Sequence, residues 1–375
     1  MKKVLNMIFC LFFIFLVFGP VRGEKIKFKT IDGVQVIYNP KKPAPPKGAL
    51  TKLILKEDFS LGEDEEEMFS EITSYAVDDE ENIYIVDRKE SRIKIFSRLG
   101  KFVKAVGNKG QGPGEMNQPV GIQITPDNEL MVEDAANRRL AFFALDGKFL
   151  KNLSPSKILS LINIYFDSKG NMVGRELALS ENQLTWHVKK YDSDLNPLFT
   201  IDSIPFPNLV QGKINPFLII FSYQLDKKDC IYYGIPKEYE IKIFNPEGKL
   251  IKRILKDYNR VKITEEDKEE ILENIPDTGV GLKDRIEFPK FFPAYQQFSI
   301  DEQGRLIVIT YEKGKNKGEY LGDVFDNEGR YIAKIPLKIR PGMTSMIWKK
   351  GKLYLTDESE DGYNILRRYS VYWEK

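Results

Sequence analysis

The sequence predicts an all-β fold: a six-bladed β-propeller of four-stranded antiparallel blades, closed by an N-terminal strand, with one short helical insertion between blades four and five. Three observations predict it. Turn residues recur in two interleaved sets, and an aromatic recurs at a fixed place in each unit. The last unit is also one strand short, while an unpartnered strand precedes the first.

Segments 79–82, 126–128, 167–170, 226–229, 301–304 and 349–351 are built around Asp, Asn or Gly and would join each innermost strand to the next. Segments 99–100, 146–147, 194–196, 247–248 and 328–329 would join third strands to fourth strands. Gly and Asn supply the positive φ of tight hairpins, and Asp bonds back to its own turn backbone. Between the turns lie short apolar runs with strand-like alternation.

The aromatics Phe96, Phe143, Tyr191, Phe244, Phe325 and Tyr369 mark the third strands, at spacings of 47, 48, 53, 81 and 44 residues. Blades of about 40–50 residues account for four of the five intervals. The long one contains 264–273, where Thr264 is placed as an N-cap and Glu265, Glu266 and Asp267 crowd the first turn. Acidic side chains there favour a helix start. An inserted helix is expected, with 276–293 returning to the rim; a degenerate seventh blade is the rival.

The final unit offers three strands, at 344–348, 352–356 and 364–372. Segment 51–59 alternates like a strand, and pairing it outside blade six would close the ring and cover a sheet edge. Upstream, 25–38 reads as a hairpin around Asp32-Gly33, and the Pro-rich link 39–47 is expected to be extended, outside the ring. On this reading, deleting 51–59 destabilises the domain far more than deleting 24–47. The expected divisions are 1–23 as an export signal, 24–50 as hairpin and link, and 51–375 as the propeller.

Two stretches carry a family likeness. Residues 107–153 combine the loop Gly110-Gln111-Gly112-Pro113-Gly114-Glu115, the following Pro119, and a corner of Asp134, Asn137 and Arg138. Residues 72–106 repeat the pattern with Asp87 and Arg92, although Ser91 stands beside that arginine. This resembles the NHL repeat of secreted bacterial six-bladed propellers. Motif-level similarity is confined to these two units, and blades three to six follow only the strand pattern. The resemblance implies a scaffold whose function resides in loops and channel, with zinc-dependent lyases and calcium-dependent lactonases as the enzymatic branches.

Lys2-Lys3, the apolar run 4–18 and the small residues around Val21 and Gly23 describe a secretory signal peptide. The run falls short of the roughly 20 apolar residues of a spanning helix. An uncleaved anchor is the alternative. Cleavage after residue 23 would remove Lys2, Lys3 and Arg22 and leave 54 basic against 55 acidic side chains. No basic excess then remains to neutralise phosphates, so nucleic acid is not an expected partner. Cys10 lies in the apolar run, leaving Cys230 alone beyond it, so no intrachain disulfide is expected. The expectation is a secreted or periplasmic bacterial protein, monomeric and without stable membrane insertion.

Apparent chemical motifs reduce to turns. The glycines of 107–114 are not followed by Gly-Lys-Ser/Thr or a helix, so a blade connector is expected instead of a phosphate loop. Segment 192–196 opens like a calcium loop but continues with Pro197 and has Ser203 at the twelfth position. The acidic run 63–67 is expected to be a solvated loop. His187 is the one histidine of the chain, which rules out a multi-histidine zinc site within a single copy. A Ser-His-Asp triad would have to use His187, which sits in a strand-like run. Cys230 reads as a small buried hydrophobe.

Two surfaces remain as candidate binding regions. Innermost strands should begin near Glu71, Gln118, Asn163, Tyr223, Gln296 and Thr344, placing those side chains at the channel mouth. Phe288, Phe291, Phe292 and Tyr295 end the insertion, while Phe206 and Phe217 precede blade four. These aromatics either frame a groove or pack the insertion onto the ring. The leading functional expectation is a non-enzymatic scaffold binding a protein, peptide or glycan on its loop-rich face, with no cofactor. The alternative is a lactonase or hydrolase with Ca²⁺ held by channel oxygens.

Overall fold

The computed structural model describes residues 25–63, 68–154, 160–180, 183–206, 212–218, 220–275, 281–340, 344–359 and 361–375. The predicted export signal, most of the acidic run 63–67 and part of the return segment 276–293 lie outside them.

Six blades, each built on four antiparallel strands and one extended by two more, surround a central channel. Their innermost strands are Ile72–Val77, Pro119–Ile124, Ser160–Phe166, Ser222–Leu225, Gln297–Ile300 and Met346–Lys349. Each touches the innermost strand of the next blade, and the sixth touches the first. Each predicted turn has a residue at positive φ: Glu81, Asn128, Gly170, Asp229, Gly304 and Gly351 in one set, and Gly100, Gly147, Leu195, Gly248 and Gly329 in the other. The ring closes as expected. Lys52–Leu61 pairs antiparallel with Asn364–Glu374 and becomes the outer strand of blade six.

The apolar core consists of wedges between blades, because both faces of each sheet are covered by neighbours. Ile122, Val132 and Phe143 of blade two meet Ala76, Tyr84 and Ile95 of blade one. Tyr75, Ile85 and Phe96 meet Leu61, Tyr354 and Leu366 across the closing seam. Phe96, Phe143 and Phe325 are fully buried, which explains why the aromatic marks each unit.

The N-terminal hairpin departs from expectation. Lys27–Ile31 and Val34–Asn39 pair around Asp32 and Gly33, but Val34–Asn39 also runs parallel to Leu250–Lys256. Blade four is therefore six-stranded. Val36 and Ile37 are buried, and Ile37 joins the wedge between blades four and five. The alternation in 34–39 pointed to a strand but could not show its partner. The hairpin therefore extends a blade and contributes to the core, which the sequence did not show.

The insertion contains the α-helix Glu265–Glu273, with Thr264 and Asp267 forming a reciprocal capping box. Lys313 of blade five holds Asp267 at 2.9 Å. Ile263, Phe292 and Tyr311 form a local core with Phe217 and Phe288 packed against it.

Candidate functional site

The channel is a cavity of about 610 Å³ lined by Ser74, Gln123, Asn163, Gln224, Gln297 and Thr344 among others, with Glu133 as its one lining carboxylate among the described residues. Most of its polar side chains bind the neighbouring blade. Ser74 Oγ accepts from Ile122 N at 3.2 Å, and Glu133 Oε1 accepts from Ile164 N at 2.8 Å. Tyr223 donates to the Asn163 carbonyl at 2.7 Å, and Gln224 Oε1 accepts from Ile300 N at 2.9 Å. Gln297 Nε2 donates to the Thr344 carbonyl at 2.8 Å, while Tyr75 donates to the Ser345 and Tyr354 carbonyls. Every junction of the ring is thus crossed by a side chain–backbone bond, which satisfies polar groups that strand pairing leaves over.

The junction of blades two, three and four differs from the rest. Glu133 is 2% exposed, and its Oε2 has no hydrogen-bond partner. Burial pushes its carboxyl up to about 7, against the opposing effect of the Ile164 N–H. Gly121 makes room for it, since a Cβ there would stand 2.3 Å from the Glu133 carboxyl carbon. Asn163 adopts φ 55° within a bulge of the innermost strand, so its carbonyl meets Tyr223 and the next N–H meets Glu133. Asn tolerates this left-handed conformation better than most residues.

One strand behind, Arg175 lies with its guanidinium 4.3 Å from the Trp186 ring and 5.1 Å from the Phe221 ring. Its Nε and the neighbouring Trp186 Nε1 are buried without hydrogen-bond partners. Burial lowers the Arg175 pKa; Tyr223 and Glu133 oppose that shift, but Arg175 forms no ion pair among the described residues. A desolvated cation ordinarily has a counter-charge.

The predicted site residues fall in several places. Asn163 and Thr344 line the channel. Tyr223 is buried behind it and spent on Asn163. Glu71 and exposed Gln118 meet through Arg88, at 3.3 and 3.4 Å, on the mouth of blades one and two. Gln296 is buried and donates to the Thr310 carbonyl. Phe292 is buried against Tyr311, the rings stacked at 4.2 Å, with Phe217 edge-on. Phe291 is half-covered by Arg260 and Lys290. Phe292 therefore packs the insertion onto the ring and is not a groove wall. Glu133, Arg175 and Trp186 escaped sequence reasoning because each sits inside an ordinary strand pattern.

The remaining motifs are structural. Asp192 accepts from the backbones of Asp194 and Asn196 and from the Asn196 side chain, closing a hairpin turn. In blade two, Arg139 rather than Arg138 is the partner of Asp134, at 2.8 Å; Arg138 occupies the left-handed turn position instead. His187 Nδ1 lies 2.7 Å from Ser203 Oγ as a cross-strand pair on the outer part of blade three. Burial and Lys189 hold the imidazole pKa below its usual value. Cys230 is half-buried and its thiol is pushed up by burial, which suppresses thiolate chemistry. Among the described residues no group of three or more His, Cys, Asp or Glu could hold a metal ion. No described helix is long and apolar enough to cross a membrane.

Several known proteins share this architecture. A candidate exported protein (BF0058) from Bacteroides fragilis superposes with a TM-score of 0.55 at 14% identity, over 91% of this chain and 100% of that one. A member of the DUF4221 family from Bacteroides vulgatus gives 0.55 at 12% identity, over 87% and 100%. At such identities the likeness concerns the fold alone. E3 ubiquitin-protein ligase TRIM32 of Homo sapiens is 33% identical over 104 residues, which is 27% of this chain and only 16% of that protein. Residues 60–339 match the model of the DUF5128 family, described as a 6-bladed beta-propeller, and the chain belongs to that family.

Proposed function

We propose that this chain is an exported bacterial propeller of the NHL type that binds a peptide, protein or glycan on its loop-rich face without catalysing a reaction. The observation behind this reading is a group of buried polar atoms without hydrogen-bond partners, Glu133 Oε2 in the channel wall and Arg175 Nε and Trp186 Nε1 one strand behind it. Elsewhere in the channel wall, most polar side chains are committed to neighbouring blades. A convergent set of polar groups beside a cavity is the usual mark of a ligand site.

The competing reading is a calcium-dependent hydrolase. Ca²⁺ takes 6–8 oxygen ligands, and the channel would offer Glu133 together with amide and hydroxyl oxygens. Metal content and function of the purified exported chain separate the two. The binding reading expects saturable capture of immobilised peptides or glycans that chelator leaves unchanged. Stoichiometric calcium, with lactonase or esterase turnover abolished by chelator, would overturn it.

A further inference from the structure

The unspent group at the foot of blade three indicates what the mouth binds. Arg175, Leu177 and Leu179 lie on one face of the strand Met172–Ser180, opposite Val188, Trp186 and Leu184 of Gln183–Tyr191. Ile204 continues the Trp186 rung, and Phe206 N bonds to the Leu184 carbonyl at the next. Exposure rises along this ladder: Val188 is fully buried, Trp186 is 7% exposed, Leu184 38% and Leu179 64%. The end of this central hairpin carries an apolar face with the part-buried cation Arg175 at its base. Rungs two residues apart are about 7 Å apart, so the wall suits a few extended residues.

We infer that this wall holds the C-terminal end of a peptide whose last residues are apolar, its terminal carboxylate received by Arg175. This rests on the binding reading above and specifies its ligand. A planar carboxylate matches the guanidinium fork and supplies the contact ion pair that Arg175 does not make among the described residues. The aromatic faces of Trp186 and Phe221 hold that fork in place. The rung spacing matches the side-chain repeat along one face of an extended peptide, which an unbranched acyl chain does not have. The exposed leucines then take the preceding side chains, as in other recognition modes that pair a polar anchor with apolar pockets.

The test compares a fluorescent apolar tetrapeptide with a free C-terminus against the same peptide amidated, by polarisation on the exported chain. A charged hydrogen bond contributes about 1.5–3 kcal/mol, so the acid should bind roughly 10- to 100-fold tighter than the amide. Arg175→Gln should erase that difference. Leu179→Ser, at an exposed position that leaves the core untouched, should weaken acid and amide alike and preserve their ratio. Equal binding of acid and amide by the wild-type chain overturns the inference, as does octanoate competing as strongly as the peptide acid. If other peptides or glycans bind saturably while the apolar peptide acid does not, the inference fails and the binding reading stands.

Discussion

Asn39 tests whether the N-terminal hairpin is part of the ring. It is 3% exposed, and its side chain joins three strands. Nδ2 donates to the Leu255 carbonyl at 3.1 Å and the Gly329 carbonyl at 2.9 Å, while Oδ1 accepts from Tyr331 N at 2.8 Å. The perturbation is Asn39→Ala. A net hydrogen bond is worth about 1 kcal/mol, and a buried group left unpaired costs about 1–3 kcal/mol. One lost net bond plus one buried group left unpaired gives an expected loss of about 3 kcal/mol. With an unfolding entropy of about 2.1 cal/mol/K per residue, such a loss in a chain of 375 residues lowers Tm by about 4 °C. Calorimetry and urea titration of the purified chain would measure it, with exposed Lys41→Ala as a control expected within about 0.5 kcal/mol of wild type. If Asn39→Ala melts within about 1 °C of wild type, the hairpin is held by its ladder alone and the junction argument fails.

Three other perturbations follow from buried groups. Glu133 has its pKa raised by burial to about 7 from 4.5, so the folded chain keeps a proton that the unfolded chain releases. Its stabilisation is present below pH 4.5 and is lost as pH rises through 7, by about 3 kcal/mol; in Glu133→Gln the urea midpoint should fall less over that window, and parallel profiles would contradict the assignment. Gly121→Ala should cost about 1–3 kcal/mol by overpacking, because its Cβ would meet the Glu133 carboxyl. Glu133→Ala should relieve much of that cost in a double-mutant cycle, whereas additive effects would place the strain elsewhere. Asp323→Ala removes the acceptor shared by Tyr239, Tyr331 and buried Lys256. Leaving that cation uncompensated should cost about 3–5 kcal/mol by urea unfolding, and a loss under about 1 kcal/mol would show that Lys256 finds another partner.

The blade count and the closing strand were legible because they depend on local chemistry that repeats. Gly100, Gly147, Gly248 and Gly329 occupy left-handed turn positions, and Phe96, Phe143 and Phe325 fill the same place in successive wedges. Thr264 and Asp267 likewise announced a helix start from within four residues. The docking of 34–39 was not legible, since its partner Leu250–Lys256 lies more than two hundred residues away. Nor was Arg139, whose contact with Asp134 depends on the turn taken by Arg138. The candidate site was hidden for a similar reason. Arg175 occupies an alternating strand position, and only the placement of Trp186 and Phe221 around it makes its lack of an ion pair visible.

The inter-blade bonds explain how four of six units can lose the recognisable repeat and still close a ring. A junction needs some side chain that reaches the next innermost strand, and the residue type is free. Ser74, Glu133, Tyr223, Gln224, Gln297 and Tyr75 meet that need with hydroxyls, a carboxyl and amides. Sequence similarity can then drift blade by blade while the polar accounts of the channel still balance. An imbalance acquires meaning against that background. Glu133 closes its junction with one oxygen and leaves the other free, in the same quarter of the ring where Arg175 and Trp186 hold unpaired donors. Together with the exposed leucines Leu179 and Leu184 of the blade-three hairpin, these atoms are what the proposed recognition at blade three rests on.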